Sequence, residues 1–315
     1  MQIQRKKACG FVFLLAAFML AATNVPVEER VVANEPLNAP QRVDIKDTVK
    51  KSFKVRGGGT LYLDIDHGNV EVEPHSDNEV FIEVERTVRS DNRDDAKRII
   101  DRHDLALEER SNDVYIESRY DRESGFWGRM GSRTELKIRV KVHIPRQYNV
   151  DFSSGAGNVT VGTVSGRVHG RTGAGNIEIG AVDGPVDVAS GSGNIEIMGA
   201  LGHVEANTGA GNIRAREIRG EVDINTGAGN IEAYITRQPQ AESRLHTGAG
   251  NVTVFLGSDV GVQVDAEASV GSASCDCPLP IEGKWMSKRF SGNVNGGGPD
   301  LHLRAGVGNV ALKRM

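Results

Sequence analysis

Asparagine returns at a fixed interval along this chain. Asn158, Asn176, Asn194, Asn212 and Asn230 lie eighteen residues apart, each inside Thr-Gly-Ala-Gly-Asn-Ile or a near copy. Asn251 follows after three extra residues, and Asn309 stands in a late copy. A column of side-chain amides can do one of two things. It can hydrogen-bond to the same residue above and below, or it can help to ligate a hard cation. A calcium β-roll is also built from nine-residue halves, but it needs Gly-Gly-x-Gly-x-Asp, with carboxylates in the turns. Here the turn reads Gly173-Ala174-Gly175-Asn176 and holds no acid. The asparagines are therefore read as a structural ladder, and no metal site is expected.

The remaining reactive side chains are weaker candidates. His169, Asp187, Glu205 and Asp223 fall at matching places, as do Glu178, Glu196, Arg214 and Glu232. Such columns could recruit a cation or a basic partner. They are read instead as solvated faces, with Arg214 relieving repulsion. Glycoside chemistry needs two carboxylates converging in a cleft, and Asp121 and Glu123 have no identifiable second member. Ser190-Gly191-Ser192-Gly193 belongs to the repeat turn rather than to a nucleophile motif, and the eight histidines form no metal-spaced pair. The expectation is no catalytic residue and no cofactor. Of three cysteines, Cys275 and Cys277 could pair across Asp276 in a strained ring or pair between chains, and alone they are too few to hold zinc. The best binding hints are aromatic. Phe126 and Trp127 neighbour Arg129 and Met130, and Trp285 neighbours Lys284, Lys288 and Arg289. Rings beside Arg anchor many interfaces. The competing reading is that each ring folds back over a sheet edge.

The elements that position these residues follow from a shorter period of nine. Gly175-Asn176-Ile177-Glu178-Ile179 is followed by Gly184-Pro185-Val186-Asp187-Val188, then by Gly193-Asn194-Ile195-Glu196-Ile197. Each half reads Gly, any residue, apolar, polar, apolar. That alternation puts apolar side chains on one side of a strand. One rung is then two short strands joined by two glycine turns. Rungs stack into two facing parallel sheets about 10 Å apart, with parallel neighbours about 4.8 Å apart. Val159, Ile177, Ile195, Ile213 and Ile231 would form one inward column, and Val168, Val186, Val204 and Val222 another. Turn glycines supply positive φ, and the asparagines are expected to tolerate the left-handed region beside them. The fold class is all-β: a parallel, two-sided β-solenoid with 18-residue rungs and one short helix in its N-terminal part.

The chain has 315 residues, net charge −4, 38 glycines and only 5% aromatics. The charge gives a nucleic-acid partner no support, and a narrow Val/Ile core suits few rings. Arg5, Lys6 and Lys7 precede an apolar run from Phe11 to Ala22 that is short for a membrane span. Residues 1–23 are read as a signal peptide, with no transmembrane segment beyond it, and 24–49 as a proline-bearing linker. Residues 50–148 form a β-rich N-terminal part, with a helix over 94–103 and a polar loop over 121–133. Regular rungs occupy 149–315, interrupted by an insertion at 272–289. Gly257 to Val270 is expected to be a strand pair, and an atypical last rung is expected to cap the open edge.

An exported leader, alternating strands, a short helix, Val142-His143-Ile144-Pro145 and then repeated Ser/Thr-Gly-x-Gly-Asn-Ile/Val together resemble the bacterial putative-adhesin family of β-strand-repeat domains of unknown function. The resemblance covers roughly residues 50–315. Many members carry Asp where this chain carries Asn. The resemblance implies a β-solenoid and offers no catalytic residue. The expected function is an exported, non-catalytic binding or structural module of the cell envelope, in the periplasm or at the surface, whose partner is an envelope protein or polysaccharide. The alternatives are an envelope-stress sensor or regulator that binds a peptide or protein, and a carbohydrate-active β-helix enzyme with its site in residues 50–150.

Overall fold

The structure, a computed structural model, describes residues 42–120, 135–283 and 286–315. The chain enters through β1 (Val43–Lys54), β2 (Thr60–His67), β3 (Asn69–His75), β4 (Glu79–Ser90), α1 (Arg93–Asp101), β5 (His103–Arg110), β6 (Asp113–Tyr120) and β7 (Glu135–Pro145). Regular rungs follow as strand pairs: β8 (Asn149–Ala156) with β9 (Val159–Val161), β10 (Val168–Ala174) with β11 (Ile177–Val182), and β12 (Val186–Ser190) with β13 (Ile195–Ala200). Next come β14 (Val204–Ala210) with β15 (Ile213–Ile218), β16 (Val222–Ala228) with β17 (Ile231–Ile235), and β18 (Ser243–Ala249) with β19 (Val252–Leu256). The last strands are β20 (Val262–Val270), β21 (Ala273–Cys275), β22 (Lys288–Val294), β23 (Asp300–Val307) and β24 (Val310–Arg314).

Alternation along each strand decides which face is dry. In β13, Ile195 and Ile197 are buried while Glu196 between them reaches solvent. β-branched residues suit this pleat, where the crowded Cβ packs on the neighbouring rung. The predicted inward columns are all buried: Val159, Ile177, Ile195, Ile213 and Ile231 on one sheet, and Val168, Val186, Val204 and Val222 on the other. Burying each such side chain contributes roughly 1.5–3 kcal/mol, so a rung is held mainly by its aliphatic seam. Consecutive strands go to opposite sheets, so neighbours within a sheet come from successive rungs. Ile177 stands beside Ile195, and Val186 beside Val204.

Among the described residues the two sheets have twelve strands each. One runs β1-β4-β7-β3-β9-β11-β13-β15-β17-β19-β24-β21 and the other β22-β20-β23-β18-β16-β14-β12-β10-β8-β2-β6-β5. Pairing is parallel through the rungs and antiparallel at the ends, where β1 joins β4, β4 joins β7, β5 joins β6 and β20 joins β22. Helix α1 lies at the N-terminal end. Asn92 caps it by accepting from the Asp94 N–H at 2.9 Å, and Asp94 and Asp95 favour its start. It buries Ala96 and Ile99. It ends earlier than 103, because His103 already belongs to β5.

Several boundaries differ from the sequence expectation. Residues 43–49 are strand rather than linker, since Val43, Ile45 and Val49 alternate and pair antiparallel with β4. The proposed insertion at 272–289 contains β21 and the start of β22. Gly257 to Val270 yields one strand, β20, and β21 supplies the second half of that rung. The last rung does not cap the stack. β23 lies between β18 and β20, and β24 between β19 and β21. The N-terminal end repeats the device: β2 lies between β8 and β6, and β3 between β9 and β7. Both ends thus insert a rung out of chain order. The outermost strands are the Lys-rich β1, the charged β5, the three-residue β21 and β22, which suit exposed edges by charge or by shortness. The predicted signal peptide lies outside the described residues.

Candidate functional site

The repeat turn builds a continuous column of amides on one flank. The main-chain N–H of Asn158 donates to Asn69 Oδ1 at 3.0 Å, and that of Asn176 donates to Asn158 Oδ1 at 2.9 Å. The same bond then runs from Asn194 to Asn176, Asn212 to Asn194, and Asn230 to Asn212, each at 2.8 Å. Asn251 and Asn309 continue it at 2.9 Å, and Ser272 N–H closes it on Asn309 at 3.0 Å. In the later rungs Nδ2 also donates to the Oδ1 one rung below, as from Asn251 to Asn230 at 3.0 Å. Each asparagine amide carries two N–H donors, and the ladder uses at most one of them, so at least one is left over on this exposed flank. The ladder asparagines do not adopt the left-handed conformation. The preceding glycine does: Gly193 has φ +150°, and a Cβ there would strike the carbonyl of Gly175. That position admits glycine alone because strand spacing and backbone conformation both forbid a side chain.

A second column works from inside and was not read from the sequence. Thr172, Ser190, Thr208, Thr226 and Thr247 are buried. Ser190 Oγ donates to Gly175 O at 2.9 Å, Thr208 Oγ1 to Gly193 O at 2.9 Å, and Thr226 Oγ1 to Gly211 O at 2.9 Å. A buried turn carbonyl left without a partner is costly, and these hydroxyls answer it. The signal was present: a Ser or Thr stands four residues before each of these asparagines.

Beside the asparagines a shallow trough of about 480 Å³ runs over four rungs, lined by Asn194, Glu196, Asn212, Arg214, Asn230, Glu232, Asn251 and Thr253 among others. Its floor is fixed by ladder bonds, and its wall carries ion pairs. Arg214 Nε lies 3.1 Å from Glu232, and Arg216 Nη2 lies 3.3 Å from Glu196. Exposed pairs of this kind add little stability, so they matter here as surface features. Farther along the same sheet, Tyr234 stacks on Phe255 with centroids 4.4 Å apart, and Lys313 covers the other face of Phe255. Tyr234 donates to Glu232 at 2.9 Å, and that bond, added to desolvation, raises the phenol above its ordinary range.

The opposite sheet carries the other predicted column. His169 bonds Asp187 at 2.9 Å, Asn207 holds Glu205 at 3.2 Å, and Asn225 holds Asp223 at 2.8 Å. Among the described residues no group of three His, Cys, Asp or Glu side chains could hold a metal ion. At the N-terminal end, His103 is buried against Ser118, with Nε2 2.8 Å from its hydroxyl, and Nδ1 faces Arg86 at 3.3 Å. Burial first, and then the Arg86 charge, lower its pKa from 6.5 to about 4. Arg86 always donates, so Nδ1 accepts and the proton sits on Nε2. The ring is a neutral structural link beside the Arg86–Asp47 ion pair. Of the residues expected to bind, Phe126, Trp127 and Trp285 lie outside the described residues.

The family model for Toastrack DUF4097 matches residues 60–313. No curated protein matches the chain at comparable significance. Among solved structures, a putative adhesin from Bacteroides fragilis is similar at 12% identity, with 85% of this chain and 97% of that one covered and a TM-score of 0.46. A putative lipid binding protein from Parabacteroides distasonis is similar at 15% identity, with 84% and 96% covered and a TM-score of 0.37. A putative cell adhesion protein from Clostridium sporogenes matches at 12% identity, with 85% and 100% covered and a TM-score of 0.27.

Proposed function

The chain belongs to the Toastrack DUF4097 family, and from that premise we propose that it is an exported, non-catalytic binding module of the cell envelope that holds its partner along the outward trough of the rungs. The observation that carries this reading is the asparagine ladder. It fixes a line of outward amide donors at the strand repeat, beside alternating carboxylates and guanidinium groups. A partner that lies along the solenoid axis meets the same donor at every rung. A surface already rigid before binding loses little freedom on association. Acceptor-rich chains, whether an envelope polysaccharide or an extended polypeptide, have the matching chemistry.

The test is retention of envelope polysaccharide and envelope protein fractions on the immobilised full chain, compared with Arg214→Ala and with Glu232→Ala. Both changes are on the surface and should leave folding within ~0.5 kcal/mol of wild type. The reading expects one fraction to be retained by wild type and released by the variants. Equal retention by all three would remove the trough from the account. Turnover of an envelope polysaccharide, abolished by a single acid-to-amide change, would replace binding with catalysis.

A further inference from the structure

Cys275 and Cys277 are joined in a disulfide across the single residue Asp276. We propose that this bridge is a thiol–disulfide exchange site for a protein dithiol, and that it clips the C-terminal end of the solenoid. A cross-link stabilises a fold chiefly by shortening loops in the unfolded chain, and the gain grows with loop length. A loop this short ties together nothing that was far apart. The bridge is therefore poorly suited to be a structural staple and needs another role.

Its position supplies one. Cys275 ends β21, the outermost strand of its sheet, which pairs only through Ala273, Ser274 and Cys275 with β24. Both cysteines are half-buried against the end of the core rather than enclosed within it. The chain then crosses toward the other sheet. Asp276 N–H donates to Leu312 O at 3.0 Å, Leu279 N–H donates to Cys277 O at 2.8 Å, and Leu279 lies so close to Gly292 that a Cβ there would strike it. The bridge is the first fixed point of the segment that closes this end.

The two sulfurs are not equivalent. The main-chain N–H of Cys277 donates to Cys275 Sγ at 3.2 Å, a bond that stabilises a thiolate on Cys275. A stabilised thiolate is the better leaving group. Exchange therefore runs by attack of the partner's thiolate on Cys277 Sγ. The disulfide breaks, and its electron pair departs on Cys275 Sγ, which later takes a proton from water. The partner's second thiol attacks the mixed disulfide and releases Cys277 as a thiol. Two electrons and two protons pass to the bridge, and the dithiol leaves as a disulfide.

The experiment uses the folded full chain with thioredoxin as the dithiol probe. Quenched in acid before Cys275 can re-attack, the mixed disulfide of thioredoxin lacking its resolving cysteine should sit on Cys277, with Cys275 and not Cys277 open to alkylation. An adduct on Cys275 would overturn the assignment. With intact thioredoxin, the rate of reduction should rise in proportion to its concentration. A plateau set by unfolding, or no reaction before denaturant is added, would overturn it. Glutathione at equal thiol concentration should be much slower, since Cys275 re-attacks its mixed disulfide, and equal rates would overturn the choice of a dithiol. The double variant C275S/C277S should melt with the oxidised chain, whereas a large fall in Tm would make the bridge a staple. Hydrogen exchange should speed up at Asp276 and Leu279 on reduction and stay unchanged at Asn212. Acceleration at all three would mean general unfolding and would also overturn the local clip.

Discussion

Two side chains show how single residues hold this fold. Thr208 closes the turn carbonyl of Gly193 from inside the core. Thr208→Val keeps the shape and leaves that carbonyl unanswered, so a loss of about 1–3 kcal/mol is expected, read as a lower denaturant midpoint. Glu196, on the wet side of β13, is a control, and Glu196→Gln should stay within ~0.5 kcal/mol. His103 couples stability to pH. Its folded pKa, about 4, lies below the free value of 6.5, so the fold holds the neutral ring. Its contribution is complete above about 6.5 and is lost as pH falls towards 4, by at most ~1.4 kcal/mol per pH unit. In His103→Gln that slope should be missing from chemical denaturation curves taken across the window. An identical pH dependence in both proteins would contradict the neutral, buried ring. No local pattern marks this cluster, because Arg86 comes from one sheet and His103 and Ser118 from a hairpin of the other, and they meet only when the two sheets face each other.

At the scale of the element, the strand pattern was legible and the turn chemistry only half so. Period-two alternation is local, so Ile195 in and Glu196 out could be read directly from the residues. Ile195→Asp should therefore cost roughly 3–5 kcal/mol or more, because it places an unpaired charge between the sheets. Melting at the wild-type temperature would contradict the inward column. The asparagine turn was legible as a repeat, but its backbone was not. Gly193, not Asn194, takes the positive φ, and Asn194 spends its side chain on the N–H of the next rung. Gly193→Ala meets both a forbidden conformation and the carbonyl of Gly175, so it should destabilise by more than ~1 kcal/mol in the same denaturation assay. The edge strand β1 was missed at its start because Val43 to Val49 carries as many charges as a linker. Those charges are what an exposed edge uses to avoid pairing with other chains.

At the scale of the whole molecule, the stacking order was not legible. Most half-rungs repeat Gly, any residue, apolar, polar, apolar, so the pattern does not say which rung sits on which, and only long-range packing selects the neighbour. That is how β23 and β24 come to lie inside the stack instead of ending it. Removing residues 299–315 should therefore separate β18 and β19 from β20 and β21 and expose two faces. The expected result is loss of protease resistance over residues 262–294, and not the clean loss of one terminal rung. Binding along the trough requires more of the molecule: the ladder must behave as one rigid rail from Asn69 to Asn309. Native-state hydrogen exchange at the main-chain amides of Asn176, Asn194, Asn212, Asn230 and Asn251 measures this most directly. The account predicts that these five exchange together and slowly, with the protection of the buried strands beside them. Fast or graded exchange along the column would show a flank that opens locally, and the preorganised binding surface would fall with it.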